Sequence, residues 1–121
     1  MHKEIEAELG YAKIEGPDLH EIITKTKVIL GRDVKHSDEQ TDSSEQIIRL
    51  GQNLKISRRH LLFYFDEKKK EWYAENLSKN TVLVNRKPFS KSDPPKCISP
   101  ISAIKIDDVQ FYFFQSREEI E

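Results

Sequence analysis

Short runs of β-branched and aromatic residues, each closed by a turn signal, recur along this chain, and no stretch carries the long 3.6-residue apolar period of an amphipathic helix. Lys27-Val28-Ile29-Leu30, Ile47-Ile48-Arg49-Leu50, Leu61–Phe65, Trp72-Tyr73-Ala74, Ile101–Ile106 and Val109–Phe114 read as strands, with Leu9–Ile14 and His20–Ile23 as weaker candidates. Gly16-Pro17-Asp18, Gly51-Gln52-Asn53 and Asp107-Asp108 supply turns between them. Strands this short and this evenly spaced predict an all-β sandwich or barrel. At 121 residues, one domain with a core that needs neither disulfide nor metal is expected.

The aromatic runs Leu61–Phe65 and Trp72–Ala74, separated by the charged turn Asp66–Glu71, predict a hairpin. A hairpin brings its two ends together. The flanking segments Ile56-Ser57-Arg58-Arg59-His60 and Asn76–Asn85, read as two polar loops, are therefore expected to emerge side by side. Their hydroxyl, guanidinium, ammonium and amide groups (Ser57, Arg58, Arg59, Lys79, Asn80) form a set of donors suited to the acceptor oxygens of an oxyanion such as phosphate. Arg32, after Gly31 at the end of the Lys27–Leu30 run, stands where a loop site recruits a charge.

Between these elements, Asp33–Gln46 shifts to acidic and hydroxyl residues and predicts a long mobile loop, in which His36 is solvated. Prolines exclude the Ser90–Pro95 segment from a central strand. Although 34% of the residues are charged, the net charge is only -1, so no global field draws the protein to nucleic acid or to an anionic membrane. Lys68-Lys69-Lys70 is diluted by Asp66, Glu67 and Glu71 and reads as a solvated turn. The single Cys97 has no disulfide or metal partner of its own kind, which favours a reducing compartment and a small semi-buried role. No apolar run approaches the roughly 18 residues of a membrane span, and the expected setting is soluble and intracellular. Neither a metal site nor a catalytic triad is singled out, so no cofactor and no enzymatic activity are expected. Asn76-Leu77-Ser78 matches a glycosylation acceptor only incidentally.

Gly31-Arg32, Ser57-x-x-His60, Ser78-Lys79-Asn80 and Val84-Asn85, in that order, make the chain resemble a forkhead-associated (FHA) domain over essentially its whole length. The Leu50–His60 run, the Asn76–Asn80 loop and Pro94-Pro95 look most like the FHA domains of forkhead-box K proteins and fungal forkhead-like transcription regulators. The resemblance implies a β-sandwich of about eleven strands in two mainly antiparallel sheets, spanning residues 9–116 between tails at 1–8 and 117–121, with phosphothreonine-binding loops at one end. Under it, Arg32 and Ser57 bind the phosphate, Arg58 assists, and Lys79 and Asn80 contact phosphate or peptide backbone. Gly31 provides a close turn, His60 braces the loops, and Asn85 helps to hold them. The implied partner is a threonine-phosphorylated protein, in nuclear signalling or transcription, with the domain acting as a monomer.

One position departs from the family pattern. Thr81 follows the loop asparagine where the family has glycine, so either Thr81 carries left-handed strain of about 1–3 kcal/mol or the loop takes another shape and Asn80 points differently. The chain lacks the length and helical pattern of a winged-helix domain, and sequence-specific DNA binding is not expected. The alternative reading is a phosphate-independent structural or oligomerising sandwich.

Overall fold

A computed structural model describes residues 11–33 and 44–116. The expected tails at 1–8 and 117–121, His36 and most of the Asp33–Gln46 loop lie outside the described residues. Eleven strands, and no helix among the described residues, build two sheets. They are β1 (Ala12–Gly16), β2 (Leu19–Ile23), β3 (Lys27–Gly31), β4 (Gln46–Arg49), β5 (Leu61–Asp66), β6 (Glu71–Asn76), β7 (Val82–Val84), β8 (Lys87–Phe89), β9 (Lys96–Cys97), β10 (Ile101–Ile106) and β11 (Val109–Gln115). One sheet has the order β2-β1-β11-β10-β7-β8 and the other β4-β3-β5-β6-β9. Every neighbouring pair is antiparallel except β3 and β4, whose parallel pairing needs the long connection that residues 32–45 supply.

Alternation along each strand builds the core. In β5, Leu61 and Phe63 point inward, and in β11 Phe111 and Phe113 do so. The Phe113 ring lies 5.2 Å from Phe63 and 5.6 Å from Trp72, joining the two sheets through aromatic contacts. Burying each such side chain contributes about 1.5–3 kcal/mol relative to leaving it exposed.

Several segments differ from the sequence expectation. Val82–Val84, read as loop, is a strand whose Val82 and Val84 are fully buried, because β7 finds a partner in β10. Lys87–Phe89 and Lys96–Cys97 are strands too short to announce themselves. Both lie at sheet edges, where Pro88 costs no central ladder bond. Cys97 is exposed rather than semi-buried, and local desolvation and Glu71 hold its thiol above the ordinary range, the wrong direction for a reactive thiolate.

The hairpin register sets the position of the site. Leu30 is opposite Leu61, and Leu61 opposite Asn76, so the end of β3, the start of β5 and the end of β6 share one end of the five-stranded sheet. Residues 32–33, 50–60 and 77–81 all leave from there.

Candidate functional site

Two loops dominate this end of the sandwich, and His60 joins them. Buried at 1% exposure, its Nδ1 accepts the Ser57 amide at 3.0 Å, and the opposite ring nitrogen lies 2.9 Å from Ser78 Oγ. An amide N–H only donates, so the network assigns the ring proton to Nε2, which donates to Ser78. Burial holds the imidazole below its ordinary pKa, opposed in part by Asp107, in keeping with a neutral ring. The His60 backbone continues the connection, donating to the Leu30 carbonyl and accepting from the Leu77 amide, both at 2.9 Å.

The 77–81 loop is shaped from inside by Asn76, which is 2% exposed. Its Nδ2 donates to the carbonyls of Asn80 and Phe89, and its Oδ1 accepts the Ser78 amide, each at 2.9 Å. Ser78 Oγ in turn accepts the Asn80 amide and donates to the Asn80 carbonyl. Asn76 and Ser78 are thus buried scaffolding, closed to glycosylation. The sequence reading missed this role, although Asn and Ser at a strand end are the residues that hydrogen-bond nearby backbone in place of a ladder.

The 50–60 loop is held on three sides. Leu50 donates to the Gly31 carbonyl at 2.8 Å, and Asp33 and Gly51 exchange two bonds. Asn53 Nδ2 donates to Asp107 and Asp108 on the β10–β11 turn, while its Oδ1 receives the Lys55 amide. Asn80 Nδ2 donates to the Lys55 carbonyl at 2.8 Å, tying the two loops directly together.

Gly31 lies in the last position of β3 rather than in a turn. A Cβ there would stand 1.8 Å from the Arg58 carbonyl oxygen and 2.9 Å from that of Ser57, so only glycine lets the Ser57-Arg58 backbone pack this closely. The same approach brings the Arg32 amide within 2.9 Å of the Ser57 carbonyl, and Arg32 Nη1 donates to the Ile56 carbonyl at 3.2 Å. Arg32, Ser57 and Arg58 therefore stand side by side. Among the described residues, the Ser57 hydroxyl and the exposed Arg58 and Lys79 side chains have no hydrogen-bond or ion-pair partner.

Three expectations change. Arg59, counted with the anion donors, is instead paired through Nη1 and Nη2 with the Glu45 carboxylate at 3.1 and 3.0 Å, a bond that raises its pKa. Thr81 is not among the left-handed residues, so the loop has taken another shape without strain there, and Asn80 bonds Lys55. Asn85 lies at the far end of β7 from the 77–81 loop, where its amide and Oδ1 bond Ala103 at 2.7 and 2.9 Å and brace the β7–β8 turn. Among the described residues, no three His, Cys, Asp or Glu side chains gather as a metal would require, and no helix is long and apolar enough to cross a membrane.

A sequence model described as "FHA domain" matches residues 28–106. Among curated proteins, the chain is 31% identical over 108 residues to "Transcriptional activator FHA1" of Nicotiana tabacum, covering 89% of this chain and 50% of that protein. It is 30% identical over 108 residues to "FHA domain-containing protein FHA2" of Arabidopsis thaliana, covering 89% and 32%. The chain thus spans half or less of these relatives. Among solved structures, the MEK1 FHA domain in complex with a HOP1 phosphothreonine peptide superposes with a TM-score of 0.64 at 20% identity, covering 89% of this chain and 99% of that one. The N-terminal FHA domain of S. cerevisiae Rad53p, also with a phosphothreonine peptide, gives 0.64 at 12% identity, covering 88% and 94%. With the two-sheet fold and the family match over most of its length, this chain belongs to the FHA domain family.

Proposed function

We propose that the chain is a non-catalytic reader of phosphothreonine, in which Arg32, Ser57 and Arg58 take the phosphate and Lys79 and Asn80 contact phosphate or peptide backbone. Gly31, His60 and Asn85 act as structural support. One observation carries the reading: two loops locked together by hydrogen bonds, the one between His60 and Ser78 buried, present an unengaged hydroxyl, guanidinium and ammonium at one end of the sandwich. A phosphate brings about -1.5 to -2 charge and three strong acceptors, which match those donors. The peptide complexes of the MEK1 and Rad53p domains support the same ligand class. A threonine-phosphorylated protein is then the partner, without sequence-specific DNA binding or membrane attachment, and the domain works as a monomer. The name of the tobacco relative supports a nuclear role in transcription.

Titration calorimetry with paired threonine peptides tests the reading. The phosphorylated peptide binds and its unphosphorylated twin does not, whereas equal affinity would replace the reader by the phosphate-independent scaffold. Arg32→Ala weakens binding at least tenfold, because a charge-assisted hydrogen bond contributes about 1.5–3 kcal/mol and each ~1.4 kcal/mol is a factor of ten. Arg32→Lys falls between, keeping the charge and losing the planar fork. Wild-type affinity drops as salt rises, and the slope flattens in Arg32→Ala. Unchanged affinity and slope in Arg32→Ala would put the site elsewhere.

A further inference from the structure

Outside these loops, with none of their residues in its lining, the outer face of the six-stranded sheet holds a groove of about 580 Å³, floored by β10 and β11 between the β1–β2 turn and the β7–β8 turn. Its depth follows from small residues: Ala103 sits opposite Tyr112, and Gly16 lies so close to β11 that a Cβ would stand 2.5 Å from the Gln110 carbonyl oxygen. Two apolar side chains line it in the open, Tyr112 at 53% and Leu83 at 37% exposure. Phe114 and Ile101, paired across β11 and β10, continue the apolar surface beyond it, Ile101 at 58% exposure.

The charges in the groove are unbalanced. Its one carboxylate, Glu15, is already engaged by His20 at 2.6 Å and Lys13 at 3.9 Å. Its two cations, Arg86 and Lys105, have no carboxylate partner among the described residues. Arg86 also has φ 71°, at the second central position of the two-residue β7–β8 turn, where glycine is the unstrained choice. The two hydrogen bonds between Asn85 and Ala103 hold that turn against the floor strand, so a guanidinium occupies the groove rim in a conformation that arginine avoids.

We propose that this groove is a second binding site, separate from the phosphate loops, for an unphosphorylated partner segment in which acidic and apolar side chains alternate. Acidic groups would pair with Arg86 and Lys105 while apolar ones cover Leu83 and Tyr112. Charge complementarity selects this occupant: a basic segment meets two uncompensated cations, and a purely apolar one leaves them desolvated and unpaired.

The probe is a hexapeptide alternating aspartate with leucine and phenylalanine, titrated into the 121-residue chain and followed by amide chemical shifts. Shifts are expected at Arg86, Ala103, Lys105, Gln110 and Tyr112, with Ser57, His60 and Asn80 unmoved. An asparagine-for-aspartate hexapeptide should bind at least tenfold more weakly, and the R86E/K105E double variant should lose the acidic peptide to the same degree. Thermal melts establish that the variant folds, and its affinity for a phosphothreonine peptide stays at the wild-type value. Absence of shifts at millimolar peptide, shifts confined to the loops, or equal binding of the asparagine peptide overturns the proposal. So does sedimentation showing that the chain self-associates through this face and that R86E/K105E abolishes it, since the occupant is then a second copy.

Discussion

Gly31→Ala isolates the most constrained contact in the site. Gly31 is not left-handed, so backbone conformation is no obstacle to alanine, and the whole effect comes from the methyl group. At 1.8 Å from the Arg58 carbonyl oxygen, the new Cβ must gain at least 1.2 Å (3.0 − 1.8) to reach the shortest separation that real Cβ atoms show. The obstacle is backbone, and Ser57-Arg58 cannot swing away as a flexible side chain would. Displacing it stretches the Arg32 amide to Ser57 carbonyl bond, now 2.9 Å, and the Ser57 amide to His60 bond, now 3.0 Å. Overpacking costs about 1–3 kcal/mol and each of the two lost hydrogen bonds about 0.5–1.5 kcal/mol, so roughly 2–6 kcal/mol is expected. At about 4–8 °C per kcal/mol for a domain near this size, the melting temperature should fall by at least ~8 °C. Urea titration should show a lower midpoint with an unchanged slope, and calorimetry a weaker phosphothreonine complex, because Ser57 and Arg58 move with the backbone. A Gly31→Ala protein with wild-type midpoint and wild-type affinity would show that the loop backbone yields freely and that the close approach is not what positions these donors.

Asn76→Ala leaves the Ser78 amide and the Asn80 and Phe89 carbonyls without their partner, so it should destabilise by on the order of 3 kcal/mol, checked by urea midpoint, although Asn76 touches no ligand. Because burial holds His60 below the usual histidine value of about 6.5, the unfolded chain binds the extra proton more readily than the folded one. Stability should therefore fall as pH drops from about 7 through the range below 6.5, and His60→Gln, less stable throughout, should lose that component of the slope. Thr81→Gly should lower stability by up to about 1 kcal/mol, since Thr81 has no left-handed strain to relieve, whereas Arg86→Gly, relieving φ 71°, should raise it by about 0.5–1 kcal/mol. The opposite pair of signs in thermal melts would mean that the turns are shaped differently.

Alternation in Ile101–Ile106 and Val109–Phe114 made strands legible because burial on one face imposes a period of two, and Leu61–Phe65 was legible from its strand-forming aromatics, both properties of neighbouring residues. The convergence of the two main loops was legible for the same local reason, since any hairpin returns its chain to its origin. Val82–Val84, Lys87–Phe89 and Lys96–Cys97 were not, because strands of three or two residues exist only when a distant strand offers its ladder. The site divides in the same way. Arg32, Ser57, Arg58, Lys79 and Asn80 were readable as donor types, but which donors stay unengaged depends on what folding brings beside them. Glu45, fourteen residues earlier in the chain, takes Arg59, and Lys55, twenty-five residues before Asn80, takes its amide. The need for glycine at position 31 arises from a backbone segment twenty-six and twenty-seven residues away. A sequence states which groups are capable of bonding, and only the packed chain, by closing long loops at an entropic cost, decides which of those bonds are made.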